Sequence, residues 1–299
     1  MFNRRPLADA ALAALIAILA GCGSTPARIS PMLENAVDYN HQGQQFYQGK
    51  DYRNALAFYS KALQVDRSIE NSEGIALNLF NLAQTYLALN QFDAAQASLD
   101  EVVNNAMGLF SSSHLAQASM QKSIVFTHQK QPGAAREWIT KADAFCGASC
   151  PQKGLVLNVQ ARFALDEHQP DAAIDLANRA LSIHKKEMLT PEIANSLRLM
   201  GEANLAKQLP DMAIPLLQEA LQLDKDQGLP IKISVDLLLL GKANKNADGL
   251  SAAFFRRALA VSRAAGDSDG ERRALLALEE VSPQISTMQS RHPENAVNR

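Results

Sequence analysis

Apolar residues recur three, four and seven positions apart through most of the chain, and short polar or proline-containing breaks separate these stretches. Spacing of this kind places apolar side chains on one face of a helix. The breaks at 48–51, 131–133, 169–171 and 209–211 are too short to allow anything but antiparallel packing of the helices on either side. The pattern therefore predicts a series of antiparallel helical hairpins and an all-α fold.

Small residues form a second pattern within the hairpins. Each of six sets has one small residue on the first helix and two on the second, and the gaps in the first five sets are 12 and 7 residues. The sets are Gly43, Ala55 and Ala62; Ala83, Ala95 and Val102; Ser123, Ala135 and Ala142; Ala161, Ala173 and Ala180; Gly201, Ala213 and Ala220; and Gly241, Ser251 and Ala258. Short side chains let two helix backbones approach closely while larger neighbours fill the flanking grooves. The first gap of the sixth set is 10 residues, which predicts a turn two residues tighter.

The first members of the sets follow one another at intervals of 40, 40, 38, 40 and 40 residues, so one structural unit is repeated six times. Such repetition predicts a helical solenoid, whose ends need a polar cover. We assign the repeat domain to 34–265, with units at about 36–75, 76–115, 116–153, 154–193, 194–233 and 234–265. A capping helix is predicted at 266–283, ended by Pro283, and a disordered polar tail at 284–299.

The order of small, large and small residues resembles the tetratricopeptide repeat over about residues 36–263. The interval is six residues longer than the 34 of that family, and the proline that usually ends its second helix is missing. The resemblance implies a right-handed superhelical α-solenoid whose first helices line a concave groove. The residues that it places in a partner-binding groove are Asn40, Gln44, Tyr47, Phe80, Asn81, Gln84, Met120, Asn158, Arg162, Asn195, Arg198 and Glu202.

The first half of this groove is apolar and rich in amides, which suits an extended or helical peptide. The second half brings Arg162, Arg198 and Lys242, which suits a carboxylate or an acidic segment. The carboxylate clamp of chaperone-binding relatives is not reproduced, because Asn40 and Gln44 stand at two of its positions. Alternatively, all these residues form an ordinary solvated surface or pack between successive first helices.

The amino terminus has a cationic start and an apolar run from Ala10 to Ala20. A run of about eleven residues is too short to span a bilayer, so 1–21 is predicted to be a signal peptide. The sequence Leu19-Ala20-Gly21-Cys22 resembles a bacterial lipobox. That resemblance implies acylation of Cys22 with palmitate-type chains and a lipidated tether at 22–33.

No aspartate follows Cys22, where Gly23 and Ser24 stand. The lipobox resemblance therefore implies the periplasmic face of the outer membrane. A buried N-terminal helix that happens to end in cysteine is the alternative.

The net charge is −2 and no basic cluster exceeds two residues, which argues against a nucleic-acid partner. No second apolar stretch approaches membrane length, so we expect membrane attachment through the lipid only. The six histidines are scattered over different units, and a phosphate-binding glycine loop and a nucleophile elbow are both missing. We therefore expect no enzymatic activity, no metal and no cofactor, and surface positions for the histidines.

Cys146 and Cys150 lie in a connection between two hairpins. In an oxidising compartment such a pair is typical of a local disulfide. A redox or metal site and free thiols are the alternatives.

The sequence thus favours a non-enzymatic lipoprotein scaffold that binds a protein or peptide in cell-envelope assembly. The resemblance extends to repeat lipoproteins that assist pilus secretins, cell-wall synthases or outer-membrane protein insertion. An envelope thiol-redox protein or enzyme using Cys146 and Cys150, and a self-associating structural protein, remain alternatives. The partner and the oligomeric state are left open.

Overall fold

The computed structural model describes residues 30–105, 107–147, 150–245 and 249–289. These residues form helices joined by turns, with no strand among them, so the all-α prediction is confirmed. The helices are α1 (Pro31–Gln48), α2 (Tyr52–Ser68), α3 (Ser72–Ala88), α4 (Phe92–Val103), α5 (Ser112–His128), α6 (Pro132–Cys146), α7 (Lys153–Asp166), α8 (Pro170–Glu187), α9 (Thr190–Ala206), α10 (Pro210–Asp226), α11 (Pro230–Ala243), α12 (Leu250–Ala264) and α13 (Ser268–Gln289).

Three-residue connections follow α1, α3, α5, α7 and α9, and all but the one after α3 lie at the breaks that the sequence predicts. The middle residue of each connection has a left-handed backbone: Lys50, Asn90, Lys130, His168 and Gln208, with φ between 57° and 62°. A left-handed residue just after a helix satisfies the last carbonyl groups and reverses the chain. The repeat is therefore visible in the turns as well as in the small residues.

The chain divides into two compact units, 1–85 and 86–299. In the first unit, α1 packs against α2. In the second unit, the helix pairs α5–α6, α7–α8, α9–α10 and α11–α12 each pack together, and α8 contacts α9 as α10 contacts α11. The first helices α7, α9 and α11 also contact one another in sequence, so their exposed faces form a continuous wall within this unit.

The small residues allow the close helix contacts that the sequence predicts. A Cβ atom added at Gly43 would lie 2.7 Å from the Tyr59 ring, and one added at Gly201 would lie 2.7 Å from Leu217. Ala173 and Ala213 on the second helices are 0% exposed. Larger side chains at these positions would force the paired helices apart.

The sixth hairpin differs from the prediction. The connection between α11 and α12 covers residues 244–249, which is longer than the three-residue turns of the other pairs, so the expected tighter turn is wrong. The gap between Gly241 and Ser251 is short because α11 ends soon after Gly241 and α12 begins just before Ser251. Ser251 Oγ donates a hydrogen bond to the carbonyl of Gly241 at 2.8 Å, which holds the shortened helices together.

The last helix packs on the preceding hairpin and buries Ala274, Ala277 and Val281, as a capping helix does. It runs to Gln289, so the predicted helix end at Pro283 is wrong. Proline removes one backbone donor, and the remaining helical bonds carry the helix past it. Residues 290–299 of the predicted tail, the signal peptide, Cys22 and 22–29 of the tether lie outside the described residues.

Candidate functional site

The first helices α5, α7 and α9 of the second unit border an open pocket of about 330 Å³. Its walls are apolar side chains from all three helices, interrupted by a few amide and charged groups. The lining residues are Met120, Ile124, Thr127, His128, Leu155, Asn158, Val159, Arg162, Phe163, Asp166, Asn195 and Leu199. An apolar concave surface with a few convergent polar groups is the usual form of a ligand pocket.

Four of the predicted groove residues, Met120, Asn158, Arg162 and Asn195, come together in this pocket. Met120 and Asn158 are nevertheless buried, at 8% and 3% exposure, so they form its floor. Glu202 lies beside the pocket, where its carboxylate accepts a hydrogen bond from Arg162 Nη2 at 2.7 Å. A role of these residues in binding stays a prediction.

The groove residues predicted in the first unit are Asn40, Gln44, Tyr47, Phe80, Asn81 and Gln84. Gln44 and Gln84 are exposed, and Gln84 hydrogen-bonds the Tyr47 side chain. Burial raises the pKa of Tyr47. Phe80 is buried at 4% exposure, as Met120 and Asn158 are, and its role in a groove stays a prediction.

Arg198, which is also predicted in the groove, is surrounded by the chain's own carboxylates. Its Nε donates to Asp236 Oδ1 at 2.6 Å, and its Nη2 bonds Asp224. All three side chains are at most 6% exposed. Burial, together with the neighbouring Asp224, raises the pKa of Asp236 to about 6 against the attraction of Arg198. This guanidinium is therefore not free to bind a ligand.

Among the described residues, the Arg198 cluster is one of three with the same arrangement, which we call polar junctions. Each joins a residue on a second helix, the residue twelve positions later on the next first helix, and the residue 38 positions before that on the previous first helix. The polar junctions are Asp66–Asn78–Asn40 in the first unit, and His184–Ser196–Asn158 and Asp224–Asp236–Arg198 in the second. Groove residues Asn40, Asn158 and Arg198 thus hold successive repeats together.

Asn158 belongs to a polar junction and to the pocket at once. Its Oδ1 accepts a hydrogen bond from Ser196 Oγ at 3.0 Å, while its Nδ2 has no hydrogen-bond partner among the described residues. A buried amide donor without a partner is unfavourable by about 1–3 kcal/mol. This donor is closed off from solvent, so the pocket does not present it to a ligand.

His184 contradicts the expectation that the histidines lie on the surface. It is 1% exposed, and its Nδ1 lies 3.1 Å from Ser196 Oγ. Burial lowers its pKa. The imidazole ring fits because residue 154 is a glycine, and a Cβ atom at Gly154 would overlap the ring. Ser196 is itself 0% exposed, so this His–Ser pair is closed to a substrate.

Cys146 and Cys150 form a disulfide in the structure, with their Cα atoms 5.0 Å apart. Lys153 braces this connection, because its ammonium donates to the Gly147 carbonyl at 2.9 Å and to Asp143 at 2.7 Å. Within the described ranges, no group of three histidine, cysteine or acidic side chains is placed to hold a metal ion. None of the described helices combines the length and apolarity needed to cross a bilayer.

Residues 35–108 match the tetratricopeptide repeat family. No curated protein sequence matches the chain. Among solved structures, the Rap protein complexed with Competence and Sporulation Factor has a TM-score of 0.62 and 12% identity, over 86% of this chain and 73% of that one. A chain of the APC/C hetero-tetramer Cut9–Hcn1 has a TM-score of 0.60 and 19% identity over 83% of this chain, which spans only 43% of that one.

Pseudomonas aeruginosa pilF has a TM-score of 0.50 and 17% identity, over 74% of this chain and all of that one. At these identities the structural likeness shows the fold alone. The family match and the helical pairs together support a tetratricopeptide-repeat protein. Such proteins are generally non-catalytic scaffolds for protein–protein interaction.

Proposed function

We propose that this protein is a lipoprotein scaffold of the bacterial envelope that binds a protein or peptide partner in the α5–α7–α9 pocket. The single observation that carries the binding proposal is the open, mainly apolar pocket of about 330 Å³ that three successive first helices form in the second unit. The pocket is open along one side, so a chain segment can lie across it.

A peptide suits this surface better than a small metabolite. Ile124, Leu155 and Phe163 offer partly buried apolar surface for side chains. The side-chain amide of Asn195, which lines the pocket, can pair with the polar groups of a peptide backbone. Structures with a similar fold include the Rap protein complexed with Competence and Sporulation Factor.

Affinity capture from the solubilised envelope tests the pocket. Ile124→Asn replaces a pocket-lining aliphatic side chain by an amide, and Ile231→Asn makes the same change at a 49% exposed position that does not line it. We expect the wild type and Ile231→Asn to retain the same bound proteins and Ile124→Asn to lose at least one of them. Identical sets of captured proteins for all three would refute groove binding, provided that their circular dichroism spectra agree.

The envelope part of the proposal depends on the lipobox-like Leu19-Ala20-Gly21-Cys22. We propose cleavage before Cys22, acylation of its sulfur and amine, and residence at the periplasmic face of the outer membrane, since two or more acyl chains give stable anchoring. Metabolic labelling with a palmitate analogue should mark the wild type and leave Cys22→Ala unlabelled. Equal labelling of both, or a chain that retains residues 1–21 in the cytosol, would rule this out.

The described geometry favours a structural disulfide over an exchanging pair, so we do not propose a redox function. Cys146 is only 6% exposed, which shields its sulfur from attack by another thiol. We propose that the scaffold takes part in pilus, cell-wall or outer-membrane assembly. Identification of the captured proteins would decide among these three processes.

A further inference from the structure

The first hairpin differs from those of the second unit because no described helix precedes α1. In the second unit, α8 packs on the next first helix, α9, where Leu181 and Leu197 share a buried cluster. Tyr39 on α1 stands four residues before Gly43, as Leu197 stands four residues before Gly201. Tyr39 therefore lies on the face of α1 that a preceding helix would cover, and it is half-buried whereas Leu197 is 2% exposed.

Large apolar and aromatic side chains follow this face of α1 along its length. Met32, Tyr39 and Phe46 are seven residues apart, which places them in one row on the helix. Met32, at the start of the row, is 44% exposed. Phe58 on α2 extends the row sideways, because its ring stacks on Phe46 with the centroids 5.2 Å apart and lies 6.2 Å from the ring of Tyr39. The two helices thus share one apolar surface.

A cation lies at the edge of this surface. Lys61 is exposed, and its ammonium lies 4.7 Å from the centroid of the Phe58 ring. The acidic residues of α1, Glu34 and Asp38, are about 200° and about 100° around the helix from the row. We call the following residues the N-terminal face: Met32, Tyr39, Phe46, Phe58 and Lys61. Aromatic rings beside a lysine suit the interface between lipid and water, where the rings enter the headgroup layer and the ammonium stays in contact with water and phosphate.

The proposed lipid anchor brings a bilayer close to this face. Ser30 caps α1, and eight residues separate it from Cys22 along the chain. A chain of eight residues spans at most about 29 Å, however it is arranged. With Cys22 acylated as proposed, the start of α1 lies within that distance of the lipid headgroups, and Met32 follows Ser30 by two residues.

We propose that the N-terminal face lies on the bilayer in which the acylated Cys22 is anchored. The rings of Tyr39, Phe46 and Phe58 contact the headgroup layer, and the ammonium of Lys61 pairs with lipid phosphates. The bilayer then covers the face that a preceding helix would cover in a later repeat. This contact adds to the attachment through the lipid alone that the sequence suggests, and the inference rests on the lipidation in the proposed function.

Tryptophan fluorescence of the full acylated chain tests this contact in vesicles of phosphatidylethanolamine and phosphatidylglycerol with acyl chains brominated close to the headgroups. Bromine quenches a tryptophan that lies at the bilayer surface. Trp138, the single tryptophan of the chain, is first replaced by phenylalanine, which keeps a ring beside the ammonium of Lys122. Met32→Trp and Phe58→Trp then place reporters on the N-terminal face. Val37→Trp is the matched control, because it is on the same helix as Met32, is 59% exposed and points about 140° away around the helix.

We expect bromine to reduce the emission of Met32→Trp and Phe58→Trp and to leave that of Val37→Trp nearly unchanged. Equal quenching of Met32→Trp and Val37→Trp, or quenching of neither, would overturn the inference while leaving the anchor intact, provided that the palmitate label is present and the circular dichroism spectra agree. Emission that changes with the protein-to-lipid ratio but not with bromine would also overturn it, since a second copy would then cover the face. A wild type without the label would remove the proposed anchor and this inference together.

Discussion

Replacement of Asp236 by asparagine should stabilise the protein at neutral pH and have little effect at acidic pH. Asp236 and Asp224 are both 0% exposed and share one guanidinium, so the polar junction buries one more negative charge than positive charge when both are ionised. Burial and the neighbouring Asp224 raise the pKa of Asp236 from 3.8 to about 6. Asparagine has the shape of the protonated acid and keeps an oxygen for Arg198 without the charge.

The sign and the size follow from the two pKa values. The folded state binds the Asp236 proton more tightly than the unfolded state, so this group lowers the free energy of unfolding as pH rises from about 4 to 6 and beyond. The shift is roughly two pKa units, which corresponds to about 3 kcal/mol above pH 6. We therefore expect Asp236→Asn to gain up to about 3 kcal/mol over the wild type at pH 8 and almost nothing at pH 4.

Urea denaturation followed by circular dichroism at several pH values measures this difference. Arg198→Met is the matched comparison, because it leaves both carboxylates without a cation and should destabilise by about 3–5 kcal/mol, most strongly at pH 8. A difference between Asp236→Asn and the wild type that is the same at pH 4 and pH 8 would refute the reasoning. Destabilisation by Asp236→Asn at pH 8 would show that the ion pair outweighs the buried charge.

Three further substitutions test the helix packing, the proline inside α10 and the disulfide. Gly201→Ala should cost about 1–3 kcal/mol of unfolding free energy, because its Cβ would lie 2.7 Å from Leu217. The control Gly133→Ala should not destabilise, because a Cβ atom there meets nothing within 4 Å. Equal thermal melts for the two variants would contradict the close contact. Pro215→Ala should raise the free energy of unfolding in urea by about 1–3 kcal/mol, since it restores a backbone donor inside α10. An unchanged free energy of unfolding would mean that the helix accommodates the proline ring without cost. Cys146→Ala opens the five-residue disulfide loop and should lower stability by about 2 kcal/mol, which a melt unchanged from that of the oxidised wild type would disprove.

The hairpins could be predicted from the sequence because they depend on local information. Turn residues and small residues recur at fixed intervals, and each constrains only the two helices beside it. The shared position of Asn158 and Arg162 on the pocket side of a first helix was also predictable, since it follows from helical register. The shortened sixth hairpin was not, because a short gap between small residues can arise from a tighter turn or from shorter helices.

The polar junctions could not be predicted because their members are widely spaced in the sequence. Asp236 interrupts the apolar run from 235 to 240, where it looks like a break in a core helix. Its partner Arg198 lies 38 residues earlier, and register alone placed that side chain in the groove. A charged residue inside an apolar run was the available signal, and it indicated a buried partner without identifying it.

The three polar junctions also make otherwise similar repeats distinguishable from one another. If α11 packed against α7 in place of α9, Asp236 would face Asn158 and His184 with no guanidinium. An uncompensated buried charge destabilises by several kcal/mol. At the preceding junction, Met120 and Val156 share an apolar cluster that would accept no charge. Each polar junction accepts only its own complementary side chains. Repeats of nearly equal length are therefore kept from pairing with the wrong neighbour during folding.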